Sequence, residues 1–194
     1  SPAKGTTMNI LITGAMGFSG KGLYKILSQD STCTLFISDI YPITAVNYTY
    51  CDLVDLTSVS SLLEKVKPDT IFHFAGSFSN EYTKDYTTNV LATKNLLDVV
   101  KSLNKNCRVL LVGSAAEYGD VEEAHNPVQE IHPLNPISVY GLTKVFQTYL
   151  MKYYSNTYYM DILMARPFNI YGKNISEKLF VGKVYQQIKL LKEN

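Results

Sequence analysis

Short apolar runs alternate with segments of helical period from one end of the chain to the other. The runs are residues 9–13, 34–38, 70–74, 108–112 and 162–165, each of a length that suits a buried strand. Between them Val59, Leu62, Leu63 and Val66 recur at i, i+3, i+4, i+7; Leu23, Ile26 and Leu27 follow the first run, and Val90, Leu97 and Val100 lie on a longer segment starting near Tyr82. Two further helices are predicted over residues 139–154 and 177–191, the second with Phe180, Val184, Ile188 and Leu191 on one stripe. This alternation predicts an α/β chain: a doubly wound parallel sheet with helices on both faces. Residues 119–138, with Pro127, Pro133 and Pro136, read as a long loop of the kind that carries function. No internal repeat or low-complexity tract interrupts the pattern.

Composition narrows the class. The chain has 194 residues, 46% of them apolar, enough for one full core. Lys plus Arg (18) nearly cancels Asp plus Glu (17), so a net charge of +1 offers no electrostatic case for nucleic acid or an anionic membrane. Small molecules or protein subunits are the expected partners. The apolar runs fall far short of the ~20 residues of a membrane span. Residues 1–7 lack the features of a signal peptide and read as a cloning remnant, with Met8 as the native start and a single domain over residues 8–194. The odd number of cysteines, Cys33, Cys51 and Cys107, shows no metal-ligand spacing; no metal is expected, and a reducing cytoplasm fits. The triplets Asn47-Tyr48-Thr49 and Asn174-Ile175-Ser176 match the glycosylation pattern but are too short to carry weight.

The first run leads into TGAMGFSG (residues 13–20) and then a helical segment. Gly14 suits a tight turn, Gly17 lets the backbone approach a pyrophosphate, and Gly20 permits close packing of helix on strand. The helix N-terminus then offers free N–H groups to an anion. The second run ends at Asp39, about 20 residues on, where a carboxylate can accept both hydroxyls of an adenosine ribose and would repel a 2′-phosphate. NAD is therefore favoured, with NADP possible. Asp52 and Leu53, after a short extended segment at residues 47–50, border the adenine or, equally, Asp52 caps the next helix.

Tyr140 and Lys144 are four apart on a predicted helix and share a face. An ammonium beside a phenol is expected to lower the tyrosine pKa from its ordinary ~10 toward the range of proton transfer at neutral pH. Ser114 follows the fourth run, at the carboxyl edge where parallel sheets place ligands, and can hydrogen-bond a substrate oxygen or simply cap a turn.

These residues sit in six ordered motifs: TGAMGFSG, HFAG (73–76), NVLATKNLL (89–97), GSAAEYG (113–119), YGLTK (140–144) and RPFNIYG (166–172). Together they resemble the extended short-chain dehydrogenase/reductase family of nucleotide-sugar epimerases, dehydratases and reductases, across nearly all of residues 8–194. The resemblance implies a Rossmann-like fold in which Tyr140 is the acid/base, Lys144 binds the nicotinamide ribose and tunes Tyr140, and Ser114 orients substrate. It places Met16, Phe18, Ile40, Phe74, Ala75, Gly76, Asn89 and Pro167 about the cofactor and Asn169 on the substrate's diphosphate side. His73 becomes a supporting residue, although on physical grounds it reads as a core histidine.

The family's dehydratases resemble one another in an acid two positions before the tyrosine of the fourth motif. Here that position is Ala116, and Glu117, one place off, would point away from substrate in an extended segment. A 4,6-dehydratase is disfavoured. Reduction of a 4-keto-6-deoxyhexose is preferred, on a looser similarity of residues 173–193 to the reductases acting on GDP-4-keto-6-deoxyhexoses; 4-epimerisation is the alternative, and a non-catalytic NAD-binding regulatory module the second. Val139 stands where the family often has proline. The resemblance also implies a C-terminal substrate portion, largely absent here, and a homodimer through the helices near residues 82–101 and 139–154. Tyr149, Tyr153, Tyr154, Tyr158 and Tyr159 either extend that interface or finish the core.

Overall fold

The computed structural model describes residues 7–104, 106–172 and 180–193. Six strands, β1 (Met8–Thr13), β2 (Cys33–Asp39), β3 (Tyr48–Tyr50), β4 (Thr70–His73), β5 (Arg108–Val112) and β6 (Ile162–Ala165), pair in parallel in the order β3-β2-β1-β4-β5-β6. Every side chain along a strand alternates between faces, so β1 sends Leu11 into one core and Ile12 into the other. The larger core holds Leu11, Ile71, Val109, Leu111 and Ile162 against α2 (Leu56–Val66), α4 (Ala92–Leu103) and α5 (Val139–Tyr158). The smaller core sets Ile12, Ile37 and Phe72 against Leu23 and Leu27 of α1 (Phe18–Leu27). Each fully buried Leu in these layers contributes about 2 kcal/mol.

The helix ends are set locally. Asp55 caps α2, accepting from the Thr57 N–H, and Lys67 closes it in the left-handed region at φ 48°. Ser138 caps α5, accepting from the Gly141 N–H, while Tyr159 (φ 58°) ends it four residues later than the periodicity suggests. α3 (Tyr82–Asp85) runs through a π-turn, Tyr86–Leu91, into α4, making one long segment. The 119–138 loop contains a single 3₁₀ turn, Glu123–His125.

Two helix expectations need correcting. Ile26 is exposed, because Leu23 and Leu27 already define the face that α1 turns to the sheet. α6 (Phe180–Glu193) forms, yet Val184, Ile188 and Leu191 are exposed, at 36%, 48% and 80%. Helical period suffices to make a helix, whereas burial requires a facing element. The predicted start at Glu177, the Asn174-Ile175-Ser176 triplet and residues 1–6 lie outside the described residues. Among the described residues no helix is long and apolar enough to cross a membrane, and Cys33, Cys51 and Cys107 are unpaired thiols.

Candidate active site

The strand order reverses between β1 and β4, whose following loops leave in opposite directions and open a crevice at the carboxyl edge of the sheet. A cavity of about 630 Å³ lies there, lined by Gly14, Gly17, Asp39, Ile40, Asp52, Leu53, Phe74, Ala75 and Gly76 among others. Gly14 is in the left-handed region (φ +67°), and a Cβ on it would stand 2.4 Å from the Ala75 nitrogen, so no other residue fits. Gly20 lies within α1, where a Cβ would meet the Gly14 oxygen at 2.4 Å. No side chain caps the N-terminus of α1, and its first turn carries no acid, so the positive end of the helix is left for an anion. These features fit a pyrophosphate.

Asp39, at the end of β2, accepts from the Met16 N–H (2.8 Å) and the Ile40 N–H (2.8 Å). Its neighbours Ile40 and Tyr41 are uncharged, and Lys84 of α3 is the one cation among the described lining residues. Asp52 lines the cavity and accepts from the Val54 N–H; Asp55, not Asp52, caps the next helix, because the chain makes one more turn before α2 begins. Met16, Phe18, Gly20, Asn89, Ser114, Tyr140, Lys144 and Pro167 are not among the lining residues. Phe18 approaches Gly172, the Pro167 carbonyl accepts from the Ala115 N–H, and Asn89 is fully buried, bonded to both the N–H and the carbonyl of Ser77 and to the Thr143 hydroxyl. Asn169 is exposed.

Ser114, just past the end of β5, and Tyr140, in the first turn of α5, come close enough that the serine side chain pulls the phenol's pKa down. The Phe78 ring, which lines the cavity, stands edge-on to Tyr140 at 4.8 Å. Ser114 is also a cap: its Oγ accepts from the Ala116 N–H (3.1 Å), so the two readings of this serine are compatible. Lys144 is buried beside Gly76, where its Nζ would sit 3.4 Å from an added Cβ. It donates to the Val112 carbonyl (2.9 Å) and the Gln147 Oε1 (2.8 Å), leaving one N–H. Burial pushes its pKa down to about 8, against the pull of Glu117 and Asp85.

The expected lowering of the Tyr140 pKa is not found. Burial pushes it up, the Ser114 hydrogen bond pulls it down, and the charges of Glu117 and Asp85 push it up again. Lys144 is turned toward Val112 and Gln147, with its Nζ 5.7 Å from the Tyr140 ring centre, too far to outweigh burial.

Behind Lys144 runs a chain of buried polar groups. Gln147 accepts from the lysine, so its Nε2 donates to Thr93 Oγ1 (2.6 Å); the Thr93 hydroxyl donates to the Asn89 carbonyl. The one remaining arrangement has His73 donating from Nε2 to Thr93 (3.0 Å) and accepting at Nδ1 from the Thr13 hydroxyl (2.8 Å). His73 is thus a neutral core histidine, and burial together with the Lys144 charge holds its pKa down at about 3, from 6.5. Because the unfolded chain takes up this proton first, stability falls as pH drops from about 6.5 toward 3, by about 1.4 kcal/mol per unit. Urea unfolding of the chain is expected to lose roughly 2 kcal/mol to this group between pH 7 and 5. The pH slope should flatten in His73→Gln; an equal slope would contradict the assignment.

Glu117 lies in a 3₁₀ turn (Ala115–Glu117), not an extended segment, because Ser114 caps that turn. It still faces away from the cleft, fully buried, and pairs with Arg166 Nε at 2.9 Å. The sequence assigns no role to Gln147, Thr93 or Arg166, and singles out Glu117 only as an acid off the dehydratase position. The S-x-x-E spacing of Ser114 and Glu117 is a capping-box signal, and Gln147 shares a helical face with Tyr140 and Lys144.

Residues 10–192 match the Epimerase family, the NAD dependent epimerase/dehydratase family. GDP-6-deoxy-D-talose 4-dehydrogenase of Aggregatibacter actinomycetemcomitans is 31% identical over 183 residues, 91% of this chain and 58% of that protein. RMD from Pseudomonas aeruginosa, complexed with NADPH, superposes with a TM-score of 0.81 at 26% identity, covering 98% of this chain and 62% of that one. UDP-glucose 4-epimerase from Brucella ovis in complex with NAD superposes with a TM-score of 0.75 at 27% identity, covering 84% of this chain and 52% of that one. The chain therefore spans about three-fifths of the length of the first relative it matches.

Proposed function

We propose that this chain, which belongs to the NAD dependent epimerase/dehydratase family, binds NAD in the crevice at the β1/β4 reversal and works on a nucleotide-linked sugar, reducing a 4-keto-6-deoxyhexose. The observation that carries the reading is the grouping of Ser114, Tyr140 and Lys144 behind Phe78 and Gly76, two residues that line a cavity headed by an uncapped glycine turn. Gly14, Gly17 and the start of α1 would take the pyrophosphate, and Asp39 the adenosine ribose. The uncharged Ile40 and Tyr41 that follow Asp39, with Lys84 the one cation among the described lining residues, support NAD over NADP. When bound, the dinucleotide supplies the hydride for the sugar carbon. Tyr140 gives the proton to the oxygen on that carbon, Ser114 holds the same oxygen, and the free N–H of Lys144 faces the ribose. Cofactor contacts for Met16, Phe18, Gly20, Ile40, Asp52, Leu53, Phe74, Ala75, Gly76, Asn89 and Pro167, and a diphosphate contact for Asn169, belong to the same proposal.

A dehydration is not supported: the one acid in the 115–118 turn is paired with Arg166 and turned from the cleft. Exposed Tyr82, Tyr86, Tyr149 and Tyr153 on the α3–α4 segment and α5 support a homodimer through those helices, whereas Tyr154 finishes the core. Three free thiols suit a reducing cytoplasm. The chain is to be mixed with NADH and a GDP-linked 4-keto-6-deoxyhexose, and separately with UDP-galactose. Loss of one NADH per sugar is expected with the first. Interconversion of UDP-galactose and UDP-glucose without net NADH loss would establish 4-epimerisation instead, and inactivity on both would overturn the catalytic reading.

A further inference from the structure

We propose that Glu117 is the positioning residue for Ser114, a buried carboxylate that holds the serine's backbone while Arg166 and Thr148 hold the carboxylate. This rests on the assignment of Ser114 and Tyr140 above. Each oxygen of Glu117 has its own task. Oε1 accepts from the Ser114 N–H at 2.9 Å; Oε2 accepts from the Thr148 hydroxyl at 2.6 Å and from Arg166 Nε at 2.9 Å. A Cβ on Gly113 would fall 2.2 Å from Oε1, so the glycine before Ser114 is what lets the carboxylate reach this backbone. Ser114 is then restrained twice, at its nitrogen by Glu117 and at its Oγ by the Ala116 N–H, which leaves the hydroxyl proton to act on Tyr140, whose pKa the serine pulls down. Stability does not explain the arrangement, since apolar packing would serve a buried site at least as well as an ion pair.

Two variants of the 194-residue chain separate the two oxygens. Glu117→Gln keeps an acceptor for the Ser114 N–H and removes the charge. The double variant Glu117→Ala/Thr148→Glu keeps a carboxylate beside Arg166, whose Nη2 lies 3.1 Å from the Thr148 hydroxyl, and withdraws the acceptor from Ser114. The readout is the titration of Tyr140, followed by NMR with ¹³Cζ-labelled tyrosine and assigned with Tyr140→Phe, together with hydrogen exchange of the Ser114 amide. The groups whose charge or polarity acts on the phenol are Ser114, Lys144, Glu117 and Asp85, with Phe78 on its edge. In Glu117→Gln the titration should move down, as an opposing charge is lost, with the Ser114 amide still protected. In the double variant it should move up by about half a unit to one unit, with the amide unprotected. A folded double variant whose tyrosine titrates as in the parent chain would overturn the proposal. So would loss of amide protection in Glu117→Gln, which decides the matter even where the double variant does not fold. Neither readout uses cofactor, so failure of the dinucleotide reading shows separately, as absence of NADH binding by the parent chain.

Discussion

Tyr140→Phe is expected to lower kcat for the 4-keto sugar by about 10²- to 10⁴-fold, the range of a lost general acid, while leaving NADH binding within about twofold. Reduction of a carbonyl places negative charge on oxygen as hydride arrives at carbon, and in the proposed reaction the phenol is the group that quenches it. Its environment favours this direction. Burial holds Tyr140 protonated, above the ordinary phenol value, which suits a proton donor; the hydrogen bond from Ser114 moderates the effect. Steady-state kinetics of the variant, with NADH affinity measured in parallel, separates loss of chemistry from loss of binding. Wild-type turnover by Tyr140→Phe would remove this tyrosine from the mechanism.

Arg166→Met is expected to destabilise the chain by about 3–5 kcal/mol, because it strands the Glu117 carboxylate without its cation in a fully buried site. In a chain of this length that amounts to a fall in Tm of roughly 6–20 °C. The arginine also donates to Tyr118, Thr148 and the Glu130 carbonyl, so its loss frees the 119–138 loop as well. Adding Glu117→Leu to Arg166→Met should recover most of the stability, since two apolar residues in place of the pair leave no unpaired charge. Thermal or urea unfolding of the single and double variants reads both expectations, and a wild-type midpoint for Arg166→Met would contradict them.

Much of this architecture was legible in the sequence for identifiable reasons. Five strands announce themselves as apolar runs because a parallel sheet covered on both faces buries or half-buries most positions. β3 showed only as a short extended segment, since three residues at a sheet edge carry no periodic signal. The glycine turn was readable because the positive φ at Gly14 and the approach of Ala75 admit nothing larger. The π-turn at Tyr86–Leu91 was not, because it changes hydrogen-bond partners without changing residue types. In α6 the periodicity foretold a helix but not its exposed stripe.

At the site, residue types were legible and directions were not. Ser114 is placed at the carboxyl edge by its position after a strand, and Tyr140 and Lys144 on one helical face by their spacing; the family resemblance is what joins the three. The sign of the Tyr140 shift depended on where Lys144 points, and that is decided by Val112 and Gln147, neither of which bears a charge. An extended segment would turn Glu117 from substrate. It is turned away, but by a capped 3₁₀ turn that puts its carboxylate under Ser114 instead of into solvent.

The central claim is that the β1/β4 crevice is a dinucleotide site that favours NAD, with Asp39 on the adenosine ribose. Calorimetric titration of the chain with NADH and with NADPH, beside Asp39→Ala, tests it most directly. The account predicts that NADH binds more tightly than NADPH and that Asp39→Ala weakens NADH roughly tenfold, the worth of a charge-assisted hydrogen bond, while narrowing the preference. Binding of neither dinucleotide by the parent chain, or unchanged NADH affinity in Asp39→Ala, would contradict it.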